Sequence, residues 1–245
     1  MMSTRIALDR ADGNLRISLE AGLVVPRLVS SDATSARVAL VAGGALLLGG
    51  DSIDIEIDVG PGCHLTLEDI GGTVAYDGEG RPAFWSASAI VRTGANLNWH
   101  GLPFVVTDCA LVERTIAIDL DPDATALLRD TVVLGRAGEK GGRVALRTRV
   151  TLDNQLLLVE EFQLAGDRGV PGITGGQRIL DTILRLGYRA AAHIPPGVVS
   201  LDLDGPGSIY RWLGNESHLS PLGTIMETTS QPRPAVQPLG ELARF

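Results

Sequence analysis

Ser52-Ile53-Asp54-Ile55-Glu56-Ile57-Asp58-Val59 runs into Gly60-Pro61-Gly62, and Cys63-His64-Leu65-Thr66-Leu67 follows at once. Isoleucine and valine alternate with serine and carboxylates, so one face is apolar and the other wet, the period-two signature of a half-buried strand. Gly-Pro-Gly is a turn, and a second strand begins two or three residues later. The same unit recurs. Val91 to Trp99 turns at Gly94, Ile118 to Leu128 turns at Pro122-Asp123, and Val150 to Leu158 turns at Asp153-Asn154. Counted from Gly60, Gly94, Pro122 and Asn154, the turns are spaced by 34, 28 and 32 residues. Repeats of that length read as stacked units, each lending the next its apolar face. The expectation is an all-β fold of stacked strand repeats, a β-helix or solenoid-like double sheet. A twisted double sheet satisfies the pattern equally, and an antiparallel meander is the plain alternative.

Other alternating runs support this: Thr115 to Leu120, Arg143 to Leu152 and Val199 to Asp204. Leu156-Leu157-Leu158-Val159 is continuous and apolar, as expected of a strand covered on both faces. After Gly166 the pattern weakens. Ile179–Leu186 fits a strand or a short helix, Ser208–Leu213 a strand, and His218–Met226 a short helix limited by Pro221 and Gly223. Residues 1–229 read as one β domain with the repeats at about 37–164 and one or two short helices. Residues 230–245, with Pro232, Pro234 and Pro238, read as a mobile tail.

The 245 residues, 44% of them hydrophobic, suffice for one large core. A net charge of -8 excludes the basic footprint of a nucleic-acid or anionic-lipid binder. The N-terminus shows no secretory pattern. The uncharged stretch between Arg37 and Asp51 is far short of the roughly 20 residues of a membrane span. Two cysteines without a CxxC spacing fit a reducing compartment, so a cytoplasmic location is expected.

Catalytic signatures are missing from the chain: no GxxxxGK[ST], no GxGxxG and no GxSxG. Cys109 has no histidine near it in sequence and reads as a buried structural thiol. The four histidines are scattered. Cys63 shares a strand face with Leu65 and Leu67 and reads as core. His64 shares the opposite face with Thr66 and Glu68, so it is either a metal ligand or a solvated residue.

Three stretches resemble the UreD family, called UreH in some organisms. The first runs from Ala42-Gly43-Gly44 through Gly49-Gly50-Asp51 to Gly60-Pro61-Gly62-Cys63-His64-Leu65-Thr66. The second is Leu127-Leu128-Arg129-Asp130 to Leu134-Gly135-Arg136, with Arg129 where the family has tryptophan. The third is Leu146-Arg147-Thr148-Arg149-Val150 through Leu156 to Glu160. The resemblance implies a non-catalytic β-helix-like scaffold with a couple of helices. Such a scaffold binds apo-urease and a UreF-like protein, reaches a UreG-like GTPase through it, and helps nickel insertion. Nickel is then cargo in transit past oxygen ligands, and no cofactor is tightly bound. Asp130 and His64 become candidates for a transient nickel path. Asp130 is alternatively a salt-bridged core carboxylate, with Arg136 as its partner. Asp51 and Arg136 become candidate interaction residues, and Asp51 is alternatively a turn-forming residue. Val38 to Leu48 is a candidate apolar partner face. A β-helix enzyme acting on polysaccharide and a β-sandwich binding module are the competing readings. The first needs aromatic platforms, and aromatics are 4% of the chain.

Overall fold

The computed structural model describes residues 3–42, 47–167, 172–190 and 193–229. In chain order the strands are β1 (Thr4–Ala11), β2 (Asn14–Glu20), β3 (Val24–Ser31), β4 (Ser35–Ala42), β5 (Ser52–Val59), β6 (His64–Asp69), β7 (Thr73–Ala75), β8 (Ala83–Val91) and β9 (Asn96–His100). They continue with β10 (Phe104–Val106), β11 (Leu111–Leu120), β12 (Thr125–Leu134), β13 (Arg143–Leu152), β14 (Gln155–Ala165), β15 (Ile179–Leu186), β16 (Val198–Asp202) and β17 (Gly207–Gly214). A 3-10 turn (Ser217–Leu219) and one helix, α1 (Leu222–Thr229), follow. No helix among the described residues is long and apolar enough to cross a membrane.

The strands form two stacked sheets. The first has the order β14-β13-β11-β8-β5-β1-β2, and the second runs β16-β17-β15-β12-β9-β6-β4-β3 with β7 and β10 beside it. Neighbours β5, β8, β11 and β13 are parallel, as are β4, β6, β9 and β12. Each rung therefore climbs one sheet, turns a corner and crosses to the other: β5 to β6, β8 to β9, β11 to β12. This is the β-solenoid-like stack expected from the repeats.

The corners explain the recurring sequence. Each is four residues long (60–63, 92–95, 121–124). The fourth residue's N–H bonds the first residue's carbonyl: Cys63 to Gly60, Ala95 to Arg92, Ala124 to Asp121. The third residue is left-handed, with φ 63° at Gly62, 65° at Gly94 and 60° at Asp123. Proline occupies the second place in two of them, as such turns favour. Cys63, Ala95 and Ala124 are fully buried, so the corner residue must be small. The turns also bond to one another, Gly62 N–H to Thr93 and Gly94 N–H to Pro122.

The fourth expected unit is different. The loop between β13 and β14 has two residues, Asp153 (φ 49°) and Asn154 (φ 57°). Two successive left-handed residues make a hairpin turn, and β14 returns antiparallel in the same sheet. The repeat thus ends at β12. The Leu156–Val159 run is not covered on both faces: β14 is an edge strand, with Leu156 61% and Val159 63% exposed. Its continuous apolar character mimics a central strand because a bulge in β14 itself, with Leu157 unpaired opposite Val150/Thr151, shifts the alternation.

Ile179–Leu186 is a strand, buried along its whole length. One face enters the main core and the other lies under α1. Leu222, Ile225 and Met226 of α1 pack on Leu127, Ile183 and Tyr210. Val38 and Leu40 of the proposed partner face are core, while Val41 and Leu48 are exposed; residues 43–46 lie outside the described residues. The tail 230–245 also lies outside them.

Candidate functional site

Strict alternation sends Val112, Ile116, Ile118 and Leu120 of β11 into the lumen, and Arg114 stands on the same face. In register across the sheet, its row reads Ile53, Trp85, Arg114, Leu146. One cation thus replaces an apolar side chain in a core row. The opposite sheet makes the same departure. Leu65 and Leu67 of β6 lead to Asp69, and Ala126 and Leu128 of β12 lead to Asp130. Asp130 pairs in register with Thr182 of β15, and Thr182 with Arg211 of β17. Glu160 lies between Leu158 and Phe162 on the inner face of β14.

These residues form a polar seam through the apolar lumen. Arg114 Nη1 donates to Asp130 Oδ2 at 2.7 Å, with side chains only 10% and 20% exposed. Arg211 Nη2 donates to both Glu160 carboxylate oxygens at 2.8 and 2.7 Å, and its Nε reaches Thr182 Oγ1 at 3.4 Å. The Arg114 guanidinium lies 4.0 Å from the Trp85 ring centre and 5.3 Å from that of Phe104. Asp69 accepts hydrogen bonds from Trp99 Nε1 at 3.1 Å and Leu102 N–H at 2.9 Å. Burial pushes the Asp69 carboxyl above its usual range, against the pull of those donors and of Arg114. Apart from Glu160 on the edge strand β14, each of these side chains stands on a strand bonded on both edges, so sheet register sets the seam. Buried ion pairs of this kind are costly to desolvate and costlier still to break, about 3–5 kcal/mol for loss of one partner.

A second polar cluster lies outside the lumen, beneath the start of α1. Asp181 is 0% exposed and takes Arg129 Nη2 at 2.7 Å, Arg129 Nε at 3.2 Å and Thr131 Oγ1 at 2.7 Å, plus the Ser220 hydroxyl. It pins the segment before α1 to β12 and β15.

Asp130 is the inward-facing carboxylate expected from its apolar neighbours, but its cation is Arg114. Arg136 is exposed and pairs instead with Glu139 three residues on, because the tight turn at Gly135 folds it back over its own loop. His64 lies on the outer face of the second sheet, exposed, on the side opposite Asp130's. The structure does not bring the two together. Among the described residues no group of three or more His, Cys, Asp or Glu converges to hold a metal. Asp51 forms a turn, its carboxylate accepting Leu48 N–H at 2.9 Å. Cys63 is core, whereas Cys109 is exposed with φ 62°, because it sits at the left-handed position of the turn between β10 and β11. Sequence reading missed Arg114, Asp69, Glu160, Arg211 and Asp181. The signal for the first three was there: a charged side chain at an inward parity position of an alternating strand.

The profile of the family described as UreD urease accessory protein matches residues 11–218. The chain belongs to the UreD family. A UreD relative from Streptomyces griseus subsp. griseus, named Urease accessory protein UreD 1, is 40% identical over 219 residues, covering 87% of this chain and 85% of the relative. Urease accessory protein UreD of Streptomyces avermitilis is 29% identical over 219 residues, covering 87% and 83%. That of Xanthobacter autotrophicus is 29% identical over 218 residues, covering 81% and 75%. Within the UreD match, the quoted Gly-Pro-Gly motif falls at a solenoid corner, the Leu-Gly-Arg motif at the turn after β12, and Asp130 in the seam.

Proposed function

We propose that this chain is a non-catalytic scaffold of urease maturation, working in the cytoplasm. It binds apo-urease and a UreF-like protein, reaches a UreG-like GTPase through that protein, and gives nickel a route to the urease active site. Membership of a family of urease accessory proteins supports the general role. The observation that carries the route is the seam: oxygen ligands from Asp69, Asp130, Thr182 and Glu160 lie along the lumen of an otherwise apolar solenoid. A conduit needs weak, partly hydrated oxygen ligands, because a tight site would trap the ion. Asp130 is the path residue in this reading. His64 lies outside the lumen and fits at most an entry position on the outer face.

Partner binding is supported by the strand edges. Among the described residues β14 and β16 are edge strands, and they expose Leu156, Val159, Val199 and Leu201. Unpaired edges with apolar side chains favour association. Asp51 and Arg136 lie at turns on the surface, where contacts with a partner remain open to them. A polysaccharide-cleaving enzyme would line an outer groove with aromatic platforms, whereas Trp85, Trp99 and Phe104 are buried around Arg114.

The test is urease activation in a strain lacking this gene. Restoring the chain should restore urease activity and urease-bound nickel. Asp130→Asn should leave assembly with the partners intact while lowering nickel in urease several-fold. Normal maturation without the gene would refute the role. Normal nickel loading with Asp130→Asn would refute the route.

A further inference from the structure

The arginines that pair with carboxylates in or against the interior are fastened unequally. Arg129 makes two bonds to an aspartate that Thr131 and Ser220 also hold. Arg211 grips both oxygens of Glu160. Arg114 has a single bond, Nη1 to one oxygen of Asp130. Among the described residues its Nε is buried and has no side-chain or backbone acceptor. The rest of its grip is cation–π contact with Trp85 and Phe104, whose rings are tilted 73° to each other, and such contact holds the guanidinium less directionally than a second carboxylate bond would. A buried donor without a partner is a cost that a fixed structural ion pair normally avoids.

Beside Arg114 lies a cavity of about 30 Å³, lined by Asp69, Trp85, Trp99, Phe104 and Arg114 among others. That is room for one or two waters. Asp130 does not line it. Asp69 and Arg114 thus both face the cavity, while Asp130 is held by the guanidinium outside its lining. A small cation entering the cavity would meet one carboxylate and then a fixed positive charge. The second carboxylate becomes available only when Arg114 leaves it.

We propose that Arg114 is a displaceable charged plug in the lumen, excluding divalent cations from Asp130 until it swings away. This rests on the reading of the seam as a cation route. The plug discriminates by charge: a neutral molecule meets no electrostatic repulsion from the guanidinium, whereas a divalent cation does. It also explains why a single cation stands in an otherwise apolar row, where leucine or isoleucine would pack at lower cost.

The experiment uses the full chain with Trp212→Phe, which leaves Trp85 and Trp99, both lumen residues, as the only tryptophans. Fluorescence quenching by Ni²⁺ alone is compared with quenching by neutral acrylamide. Arg114→Met removes the charge and keeps an apolar stem. It should raise the Ni²⁺ quenching constant about tenfold or more, as loss of close like-charge repulsion in a part-buried site demands, with acrylamide quenching within about twofold of the parent. Arg114→Lys, still a cation, should stay near the parent for both quenchers. Arg114→Met with Asp130→Asn removes both charges of the pair, so it spares the fold an uncompensated Asp130 where the single variant would not, and it should also admit Ni²⁺ above the parent level. Ni²⁺ and acrylamide quenching rising together would mean loosened packing and would overturn the plug, as would no change in either. The same variants then go into the urease activation assay. Raised Ni²⁺ access with unchanged nickel loading of urease would leave the plug standing and sink the route.

Discussion

Asp181 offers the most direct test of how the outer cluster holds α1. The carboxylate is wholly buried and satisfies Arg129, Thr131 and Ser220 at once. Replacing it with alanine leaves Arg129 without its partner. A broken buried pair costs about 3–5 kcal/mol. Arg129 is 24% exposed and can turn part-way to water, so the lower end applies, about 3 kcal/mol. Ser220→Ala removes one hydroxyl bond to a charged group and should cost about 1.5 kcal/mol. Because the bond that Ser220→Ala removes is made to Asp181 itself, the double variant should cost about 1.5 kcal/mol less than the sum. Urea unfolding at equilibrium gives each value. Trp212 packs beside α1 and reports its docking by fluorescence, while Trp85 and Trp99 report the lumen. The expected result is a Trp212 change in Asp181→Ala at urea concentrations where the lumen signal is still native. The reasoning fails if Asp181→Ala costs under about 1 kcal/mol or if the two substitutions are strictly additive.

Asp69 has a pH signature. Its folded carboxyl sits above the ordinary 3.8, so the folded state holds the proton longer than the unfolded chain. Stability from Asp69 is present below 3.8 and falls as pH rises through the raised folded value. Urea midpoints measured from acid upward should show wild type losing stability relative to Asp69→Asn across that window, and a gain would contradict the burial. Gly101→Ala puts a Cβ 2.3 Å from the Arg129 carbonyl oxygen, backbone against backbone, and should cost about 1–3 kcal/mol by thermal unfolding. Leu156→Lys with Val159→Lys alters only exposed positions on β14, so stability should move by under about 0.5 kcal/mol each while self-association in sedimentation falls.

Much of this molecule was legible in local sequence. Alternation in β5, β11 and β13 fixed which side chains face inward, because successive side chains on a strand must point to opposite faces. The recurrence of turn, small residue and apolar strand marked the rungs, and ordered motifs marked the UreD family. Parity also contained most of the seam, since Asp69, Arg114, Asp130 and Glu160 all occupy inward positions. What parity cannot state is which inward residue meets which. Arg114 and Asp130 belong to opposite sheets, and their contact depends on how the rungs stack. Pairing residues by closeness along the chain fails for the same reason: Arg136 is near Asp130 in sequence, yet the turn at Gly135 takes it to Glu139.

Tertiary structure alone decided the rest. A four-residue corner carries the chain to the other sheet and keeps the strands parallel. The two-residue loop at Asp153-Asn154 is too short to cross, so β14 folds back and becomes an edge. Asp181 reads in sequence as one carboxylate in an apolar run. Only the pairing of β15 with β12 and the packing of the segment before α1, through contacts 52, 50 and 39 residues away in the chain, make it the anchor of a buried network. Side-chain direction is set by covalent geometry and is local. Pairing is set by which surfaces exclude water together, and that is a property of the whole fold.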